Sequence, residues 1–308
     1  MSTIVKHMTD QKKIGKLNVC QFDIVSGCQL KCLGCPSSSI KQKVSVIEPE
    51  NFRRYLDNIN VQSIDTFRLF NFGEPLLHPN LTEIIDVLAD YRSRTPIGIV
   101  ELSTNAQFAL WDQFEDVLRR GVINRIVVSC DGDGTPESYE TLRPPANYEK
   151  LIYFLSRVSE IVATHELTIE LMTRTVIEKL SDRDRWIATL LPLGWTPEFR
   201  GWKNLPLAPM NKTGRAPVIG KGVCKFLEPG QLYVDSDGTV VPCCAHPRAS
   251  ELGNLGNQTF SDIHKGSLHE NLLVQLSNHR ETMPVCGVCE FGPSSDPGAS
   301  AGANLPMY

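Results

Sequence analysis

Residues 17–35, LNVCQFDIVSGCQLKCLGC, join an apolar, β-branched run to a short loop that holds three cysteines. The run predicts a buried first strand, and the loop spaces Cys28, Cys32 and Cys35 as CxxxCxxC. A cubane [4Fe–4S] cluster normally takes four thiolates, so three from one loop leave one iron with an open position. The spacing therefore predicts a reactive iron–sulfur cluster directly after the first strand. A zinc site or a set of buried cysteines is the alternative, although zinc usually takes a fourth ligand nearby.

The length and composition of the chain fit a soluble enzyme with one large and one small domain. It has 308 residues, a net charge of -4 and no block of Lys or Arg, which disfavours a nucleic-acid partner. The opening residues have no apolar signal region, and no later stretch reaches the ~18 apolar residues of a membrane span. We therefore expect a cytoplasmic protein that binds no membrane. In that reducing compartment, ten cysteines favour metal ligation over disulfides.

Short β-branched runs alternate with amphipathic segments through the first two thirds of the chain. The predicted strands are 17–25, 64–71, 97–103, 124–130, 167–175 and a weaker one at 196–200. The predicted helices are 48–60, 80–93, 108–120, 147–164 and 180–191. Strands separated by helices indicate right-handed βαβ units and a parallel sheet. Periodicity alone allows either an open barrel of six repeats or a doubly wound sheet.

Polar motifs follow each of the first four predicted strands. They are the cysteine loop, Asn71-Phe72-Gly73-Glu74-Pro75, Ser103-Thr104-Asn105 and Ser129-Cys130-Asp131-Gly132. Chemistry in parallel α/β folds gathers at the carboxyl ends of strands, so these motifs are predicted to converge on one rim. Taken singly, each has a simpler reading, such as a tight turn closed by Pro75 or a helix cap at Thr104 and Asn105.

The cysteine loop resembles that of the radical S-adenosylmethionine (radical SAM) enzymes, in which the open iron chelates the amino and carboxylate groups of SAM. This resemblance implies a partial (β/α)6 TIM barrel. It also implies that the reduced cluster splits SAM into methionine and a 5′-deoxyadenosyl radical, which takes a hydrogen atom from the substrate. An electron donor such as flavodoxin or ferredoxin would then be a partner. One departure is Gly34, where many members have an aromatic residue before the third cysteine.

The motifs after strands two to four also resemble SAM-binding segments of that family. Gly73-Glu74-Pro75 looks like the family's GGEP motif, which accepts hydrogen bonds from the amino group of SAM, and here Phe72 replaces a glycine. Thr104 and Asn105 look like its Thr-Asn-Gly motif. Ser129, Asp131 and Arg143 resemble positions that contact the ribose and carboxylate of SAM. For Arg143 the alternative is an exposed surface charge.

A second group of cysteines lies near the end of the chain. Cys224 and Cys243 flank a predicted β-hairpin that turns at residues 235–238, and Cys286 and Cys289 form a CxxC pair. Because a hairpin brings its ends together, four thiolates can surround one metal centre. A zinc ribbon and an iron–sulfur cluster both suit this pattern.

This second region resembles the Twitch domain, a short relative of the SPASM domain that many radical SAM enzymes carry. The resemblance implies an auxiliary [4Fe–4S] cluster ligated by Cys224, Cys243, Cys286 and Cys289, in a small domain of one β-hairpin plus helix. We expect an N-terminal extension over 1–16, the barrel over 17–205, a linker over 206–222 that crosses the open mouth, the Twitch domain over 223–291 and a mobile tail over 292–308.

Two residues are candidates for a direct role in catalysis. Cys244, as a strand neighbour of a ligand, is predicted to point away from it, where it packs, replaces Cys243 or faces the substrate. Arg200, at the end of the weak sixth strand, is predicted to face the open mouth and hold a hydroxyl, alkoxide or carboxylate. A surface arginine is the alternative reading of that residue.

The resemblance leaves the reaction and the substrate, a small molecule or a peptide, open. An auxiliary cluster that accepts a second electron implies dehydrogenase-type oxidation of a sugar, cyclitol or similar metabolite, whereas hydrogen donation by a thiol such as Cys244 implies a radical epimerase. Maturation of a ribosomal peptide is less favoured, because the 27 residues that precede Cys28 are too few for a separate domain that binds a leader peptide. The alternative from another class is a non-catalytic iron–sulfur or zinc protein.

Overall fold

The computed structural model describes residues 14–40, 45–210, 214 and 216–293. Residues 1–13 of the expected extension, 294–308 of the expected tail and parts of the expected linker lie outside that range. The strands are β1 (Ile14–Phe22), β2 (Val25–Ser26), β3 (Ser45–Val46), β4 (Val61–Arg68), β5 (Ile97–Thr104), β6 (Arg125–Asp131), β7 (Glu170–Ile177), β8 (Thr196–Gly201), β9 (Gln231–Val234), β10 (Thr239–Val241) and β11 (Gly253–Asn254). The helices are α1 (Pro49–Asp57), α2 (Leu81–Arg94), α3 (Trp111–Arg119), α4 (Pro136–Leu142), α5 (Tyr148–Thr164), α6 (Asp182–Leu190), α7 (Phe260–His264) and α8 (Ser267–Asn278).

Six parallel strands form the main sheet, in the order β1-β4-β5-β6-β7-β8. Each connection between neighbouring strands carries a helix, as right-handed βαβ units require. The sequence order of the strands is also their order in the sheet, which is the order of an open barrel and differs from that of a doubly wound sheet. The α/β fold class and the six predicted strands are therefore confirmed.

The helix ends follow the local signals in the sequence. Pro49 opens α1, where its missing N–H costs nothing, and Gly121 follows α3 with a φ of 67°. The Asn147 side chain accepts a hydrogen bond from the backbone N–H of Lys150 at 2.8 Å and so caps α5. Helix α4 was not predicted, because its seven residues are too few for a clear apolar period.

The late hairpin, formed by β9 and β10, extends the barrel sheet. Strand β9 pairs in parallel with β1, from Val19 opposite Gln231 to Phe22 opposite Val234, and β10 and β11 follow in antiparallel order. The predicted turn is confirmed, with Gly238 at a φ of 84°. The expected small region of hairpin plus helix is thus present, and its sheet is continuous with that of the barrel. This continuity places the hairpin beside the first strand.

No helix among the described residues has the length and apolar character that a membrane crossing needs.

Candidate active site

A cavity of about 830 Å³ lies at the carboxyl ends of the barrel strands. This volume is within the range of small-molecule sites. Its lining includes most of the sequence-predicted residues: Cys28, Cys32, Cys35, Gly73, Glu74, Thr104, Asn105, Ser129, Asp131, Arg143, Arg200 and Cys244. Pro75 is buried and opens a short 3-10 turn at residues 75–77. The four polar motifs therefore meet at one rim, because the carboxyl ends of parallel strands share one edge of the sheet.

The cysteine loop presents its three thiols to this cavity. The Cys28 sulfur accepts hydrogen bonds from the backbone N–H of Leu30 and the side-chain amide of Asn105, both at 3.4 Å. Burial raises the pKa of Cys28 to about 12 and that of Cys32 to about 11. The thiols of Cys28 and Cys32 are therefore protonated at neutral pH until a metal displaces their protons. N–H donors to a cysteine sulfur stabilise the thiolate form that a cluster needs.

The Glu74 carboxylate ties together the loops after β4 and β5. It accepts hydrogen bonds from the Thr104 hydroxyl and the Asn105 N–H at 2.7 Å, and from the Leu76 N–H at 3.1 Å. Burial raises the pKa of Glu74 to about 7, while these donors oppose the rise. The carboxylate is thus engaged by protein donors, which leaves the backbone carbonyls of this segment to meet a ligand.

Gly73 has a packing reason to be glycine. A Cβ at this position would overlap the carbonyl oxygen of Val25. Its N–H also donates to the Asp23 carboxylate at 3.2 Å, which holds the motif against the start of the cysteine loop. The missing side chain therefore allows a close approach of two protein segments, and we keep its role in binding SAM as a prediction.

Arg143 lies inside the site, so its reading as an exposed surface charge is wrong. Only 8% of the residue is exposed, and its guanidinium pairs with the Asp131 carboxylate. Burial lowers the pKa of Arg143, but the negative charges of Asp131 and, when it is ionised, of Cys32 outweigh burial and raise the pKa above its ordinary value. A permanent cation thus lies beside the cysteine loop, where it can meet the carboxylate of a bound amino acid.

Trp202, just after β8, packs on the cysteine loop at Gly34, where many family members have an aromatic residue. A Cβ on Gly34 would lie 2.5 Å from Cζ2 of the Trp202 ring. The backbone N–H of Met210 also donates to the Leu33 carbonyl at 3.0 Å. The segment after β8 therefore returns to the cysteine loop, and the crossing of the open mouth by residues 206–222 stays a prediction.

The late cysteines line a second, smaller space. Cys224, Cys243, Cys286 and Cys289 all contribute to its wall, although no three Cys, His, Asp or Glu side chains of the described residues converge as tightly as they would around one bound ion. Burial raises the pKa of the Cys224 thiol to about 11 and also raises that of Cys243. All four predicted auxiliary ligands thus line one space.

Cys243 and Cys244 face different spaces. Cys243 lines the space of the late cysteines, whereas Cys244 lines the large cavity. We expected the two side chains to point in opposite directions because neighbours in a strand alternate. Strand β10 ends at Val241, however, so both cysteines lie in the loop after it, and the conformation of that loop separates them. The two spaces also share a wall, since Phe226 and Ala245 line both.

Arg200 lines the cavity as predicted, and it has a partner there. Its guanidinium donates to the Glu198 carboxylate at 2.5 and 3.0 Å. Sequence reasoning missed its neighbours Arg68 and Arg174, which line the same cavity. Both lie within barrel strands, and a charged residue within a strand predicted to be buried is the signal that would have found them. In a small barrel such a side chain points either into the barrel or to solvent.

These residues fit the cofactors that the sequence implies. Three thiols, one of which accepts two N–H donors, suit a cluster with one open iron. The adjoining rim has the volume, the carbonyls and the guanidinium that an amino acid with a nucleoside needs. Four further thiols in a second space suit an auxiliary cluster. The chemistry of the donor sets therefore agrees with both predicted groups.

Comparison with known families gives two matches. Residues 23–183 match the Radical SAM superfamily, and residues 224–290 match the SPASM iron–sulfur cluster-binding domain. The chain is also similar to the GTP 3′,8-cyclase of Chlorobaculum tepidum, with 26% identity over 153 residues. That alignment covers 49% of this chain and 42% of the cyclase, so it spans less than half of this curated relative.

Solved structures share the fold at low identity. BtrN in complex with AdoMet and 2-DOIA is 16% identical, with a TM-score of 0.53 over 89% of this chain and 92% of that chain. Native anSMEcpe with bound AdoMet is 16% identical, with a TM-score of 0.59 over 90% and 89%. The same protein with AdoMet and Kp18Cys peptide is 15% identical, with a TM-score of 0.60 over 92% of each chain. These likenesses show a common fold.

Proposed function

Because this chain belongs to the radical SAM superfamily, whose match spans residues 23–183, we propose that it catalyses a dehydrogenase-type oxidation of a sugar, cyclitol or similar metabolite. Membership implies SAM and a [4Fe–4S] cluster as cofactors, and the SPASM match implies an auxiliary iron–sulfur cluster. When bound, SAM and the reduced cluster supply the 5′-deoxyadenosyl radical that removes one hydrogen atom from the substrate.

The residues of the rim divide the work of holding these groups. In this proposal Cys28, Cys32 and Cys35 hold the first cluster, while Gly73, Glu74, Pro75, Thr104, Asn105, Ser129, Asp131 and Arg143 form the SAM site. Cys224, Cys243, Cys286 and Cys289 hold the auxiliary cluster. The Asp131 carboxylate keeps the Arg143 guanidinium in place, so that a cation is already oriented when SAM enters.

The shared wall of the two spaces is the observation that carries the proposal. A two-electron oxidation removes a hydrogen atom, a further electron and a proton from the substrate. Phe226 and Ala245 line both the large cavity and the space of the late cysteines, so a substrate in the cavity lies next to an electron acceptor held there.

The remaining proton needs a base in the cavity, and Glu198 is placed to accept it. Burial raises the pKa of this carboxyl, but Arg200 and Arg174 together lower it below its ordinary value. Glu198 is therefore ionised at neutral pH, and we propose it as the proton acceptor, with Arg200 holding the substrate oxygen.

The position of Cys244 supports radical epimerisation as a second candidate. Its side chain lines the same cavity, and burial raises the pKa of its thiol, so the S–H bond that a hydrogen-atom donor needs is kept. Replacement of Cys244 by Ala separates the two reactions. If the enzyme is an epimerase, the variant would no longer incorporate deuterium from the solvent into the product. If it is a dehydrogenase, the variant would still reduce its auxiliary cluster.

Cleavage of SAM tests the proposal before the substrate is known. We expect the anaerobically reconstituted protein, given SAM and dithionite, to release 5′-deoxyadenosine and methionine and to hold roughly eight irons per chain. Cys28→Ala should abolish cleavage and lower the iron content to roughly four. Cys20→Ala, in a fully buried position of β1, is the matched control and should keep both. Absence of cleavage in the wild type would indicate a non-catalytic iron–sulfur protein.

We further propose a flavodoxin or ferredoxin as the electron donor and the cytosol as the location. The support for both is chemical, since seven thiols committed to clusters need a reducing compartment and a low-potential electron source.

A further inference from the structure

Three arginines on neighbouring or facing strands line one part of the large cavity. Arg68 ends β4, Arg174 lies in β7 and Arg200 lies in β8. Cys244 lines the same cavity as these arginines. The guanidinium groups therefore surround the side of the cavity where the substrate is expected, beside the candidate hydrogen donor.

Glu101 pairs incompletely with Arg68 and Arg174, whereas Glu198 accepts two hydrogen bonds from Arg200. Glu101 has a side chain only 2% exposed, and its Oε1 lies 3.5 Å from both Arg68 Nε and Arg174 Nη2. These distances exceed those of ordinary hydrogen bonds, and neither Nε atom nor this Oε1 has a hydrogen-bond partner within the described residues. Half-buried guanidiniums without full hydrogen bonding are costly, and a ligand that completes them lowers that cost.

The charge of the whole cavity points the same way. Its wall contains seven basic and three acidic side chains: Lys31, Arg68, Arg143, Arg174, Arg200, Lys203 and Lys225 against Glu74, Asp131 and Glu198. The chain as a whole has a net charge of -4, so positive charge is concentrated here. An auxiliary cluster held by four thiolates is anionic as well, and neutralisation of that cluster is the competing explanation for the excess.

We propose that the substrate carries a carboxylate or phosphate group, which Arg68, Arg174 and Arg200 bind inside the barrel. Guanidinium groups suit this role because their parallel N–H donors match two oxygens of either anion. The inference rests on the proposed function, since it names the substrate class of the same cavity. It narrows the expected metabolites to acids and phosphate esters.

Anion binding to the intact protein tests this inference without turnover. The reconstituted holoenzyme is saturated with SAM, so that Arg143 is covered, and is titrated calorimetrically with inorganic phosphate and separately with malonate, against chloride at equal ionic strength. We expect one of these anions to bind, and Arg174→Gln and Arg200→Gln to weaken it about tenfold each, as for a lost charged hydrogen bond. Arg157→Gln, on the outer face of α5, is the matched control and should bind like the wild type.

A variant of opposite sign guards against simple misfolding. Glu198→Gln removes the carboxylate that competes for Arg200 and Arg174, so we expect it to bind the anion several-fold more tightly. A merely structural role would weaken binding instead. The preference between phosphate and malonate identifies the anionic group.

Three results would overturn the inference. They are wild-type binding no stronger than that of chloride, equal affinity in the arginine and control variants, and loss of auxiliary iron from the arginine variants with anion affinity unchanged. The last would mean that the arginines neutralise the auxiliary cluster. The titrations contain no dithionite, so they measure anion binding independently of SAM cleavage. A protein that bound the anion here but released no 5′-deoxyadenosine in the cleavage assay would contradict the proposed function and leave this inference intact.

Discussion

At the scale of single residues, Arg280 is the buried cation of the late cysteine region. Its guanidinium donates to four backbone carbonyls, those of Gly222, Cys286, Cys289 and Phe291, at 2.6–3.2 Å. Burial raises the pKa of Cys224, Cys286 and Cys289, and the charge of Arg280 opposes that rise in each. One side chain thus joins two chain segments, at Gly222 and at residues 286–291, and favours the thiolate form of three proposed ligands.

We expect Arg280→Gln to lose the auxiliary cluster selectively, because residues that orient ligands typically change metal affinity by about 10–100-fold. Iron should fall from roughly eight to roughly four per chain while cleavage of SAM continues. Arg280→Lys keeps the positive charge but not the planar set of guanidinium donors, and it should lose less iron than Arg280→Gln. The exposed Arg53→Gln serves as the control. An unchanged iron content in Arg280→Gln would show that the four carbonyl contacts do not support the cluster.

At the scale of structural elements, the segment after the last barrel strand packs on the first loop of the barrel. Trp202 follows β8 and lies against Gly34 of the cysteine loop, and Met210 bonds to Leu33. The glycine and the tryptophan therefore form one packing unit, although 168 positions separate them. The aromatic side chain that many family members place before the third cysteine has no room here while Trp202 occupies that space.

We expect Gly34→Phe to overpack this contact, at a cost of about 1–3 kcal/mol, and to reduce both retention of the first cluster and cleavage of SAM. Combining it with Trp202→Ala should restore part of both, because residues in contact show coupled effects. Gly201→Ala is the control, since no atom lies within 4 Å of a Cβ there. Iron content and 5′-deoxyadenosine release in the single and double variants measure the coupling. Additive losses would mean that the two positions act independently.

At the scale of the whole molecule, the carboxyl groups of Asp23 and Asp235 lie where the late hairpin meets the barrel sheet. Burial and the nearby Asp235 raise the pKa of Asp23 to about 8, although the N–H groups of Phe72 and Gly73 oppose the rise. Burial, with Asp237 and Glu251, raises the pKa of Asp235 to about 7. Asp23 follows β1 and Asp235 follows β9, so this acidic pair lies where the late hairpin joins the first strand.

These shifts predict that stability falls as pH rises. The folded protein keeps protons on Asp23 and Asp235 that the unfolded chain releases above about pH 4, so its free energy of unfolding decreases from about pH 4 to about pH 8. We expect Asp23→Asn to reduce the loss of unfolding midpoint between about pH 5.5 and about pH 8. The exposed Asp112→Asn is the control. An equal loss in both variants would contradict the assignment of this pH dependence to Asp23.

Local patterns in the sequence were enough for the fold class, for six strands and for both cysteine sets. The CxxxCxxC loop, the CxxC pair and the hairpin at 235–238 involve neighbours along the chain, so spacing alone limits their geometry. The meeting of four motifs at one rim also followed from sequence, because parallel strands in βαβ order must end on the same side.

What the tertiary structure alone decided are contacts between residues far apart in sequence. The pairing of β9 with β1, the contact of Trp202 with Gly34 and the grouping of Arg68, Arg174 and Arg200 all depend on how the sheet curves in three dimensions. An arginine or tryptophan has the same local pattern whether it faces solvent or a cavity. Its surroundings, which set its charge balance and its role, come from the packing of distant strands.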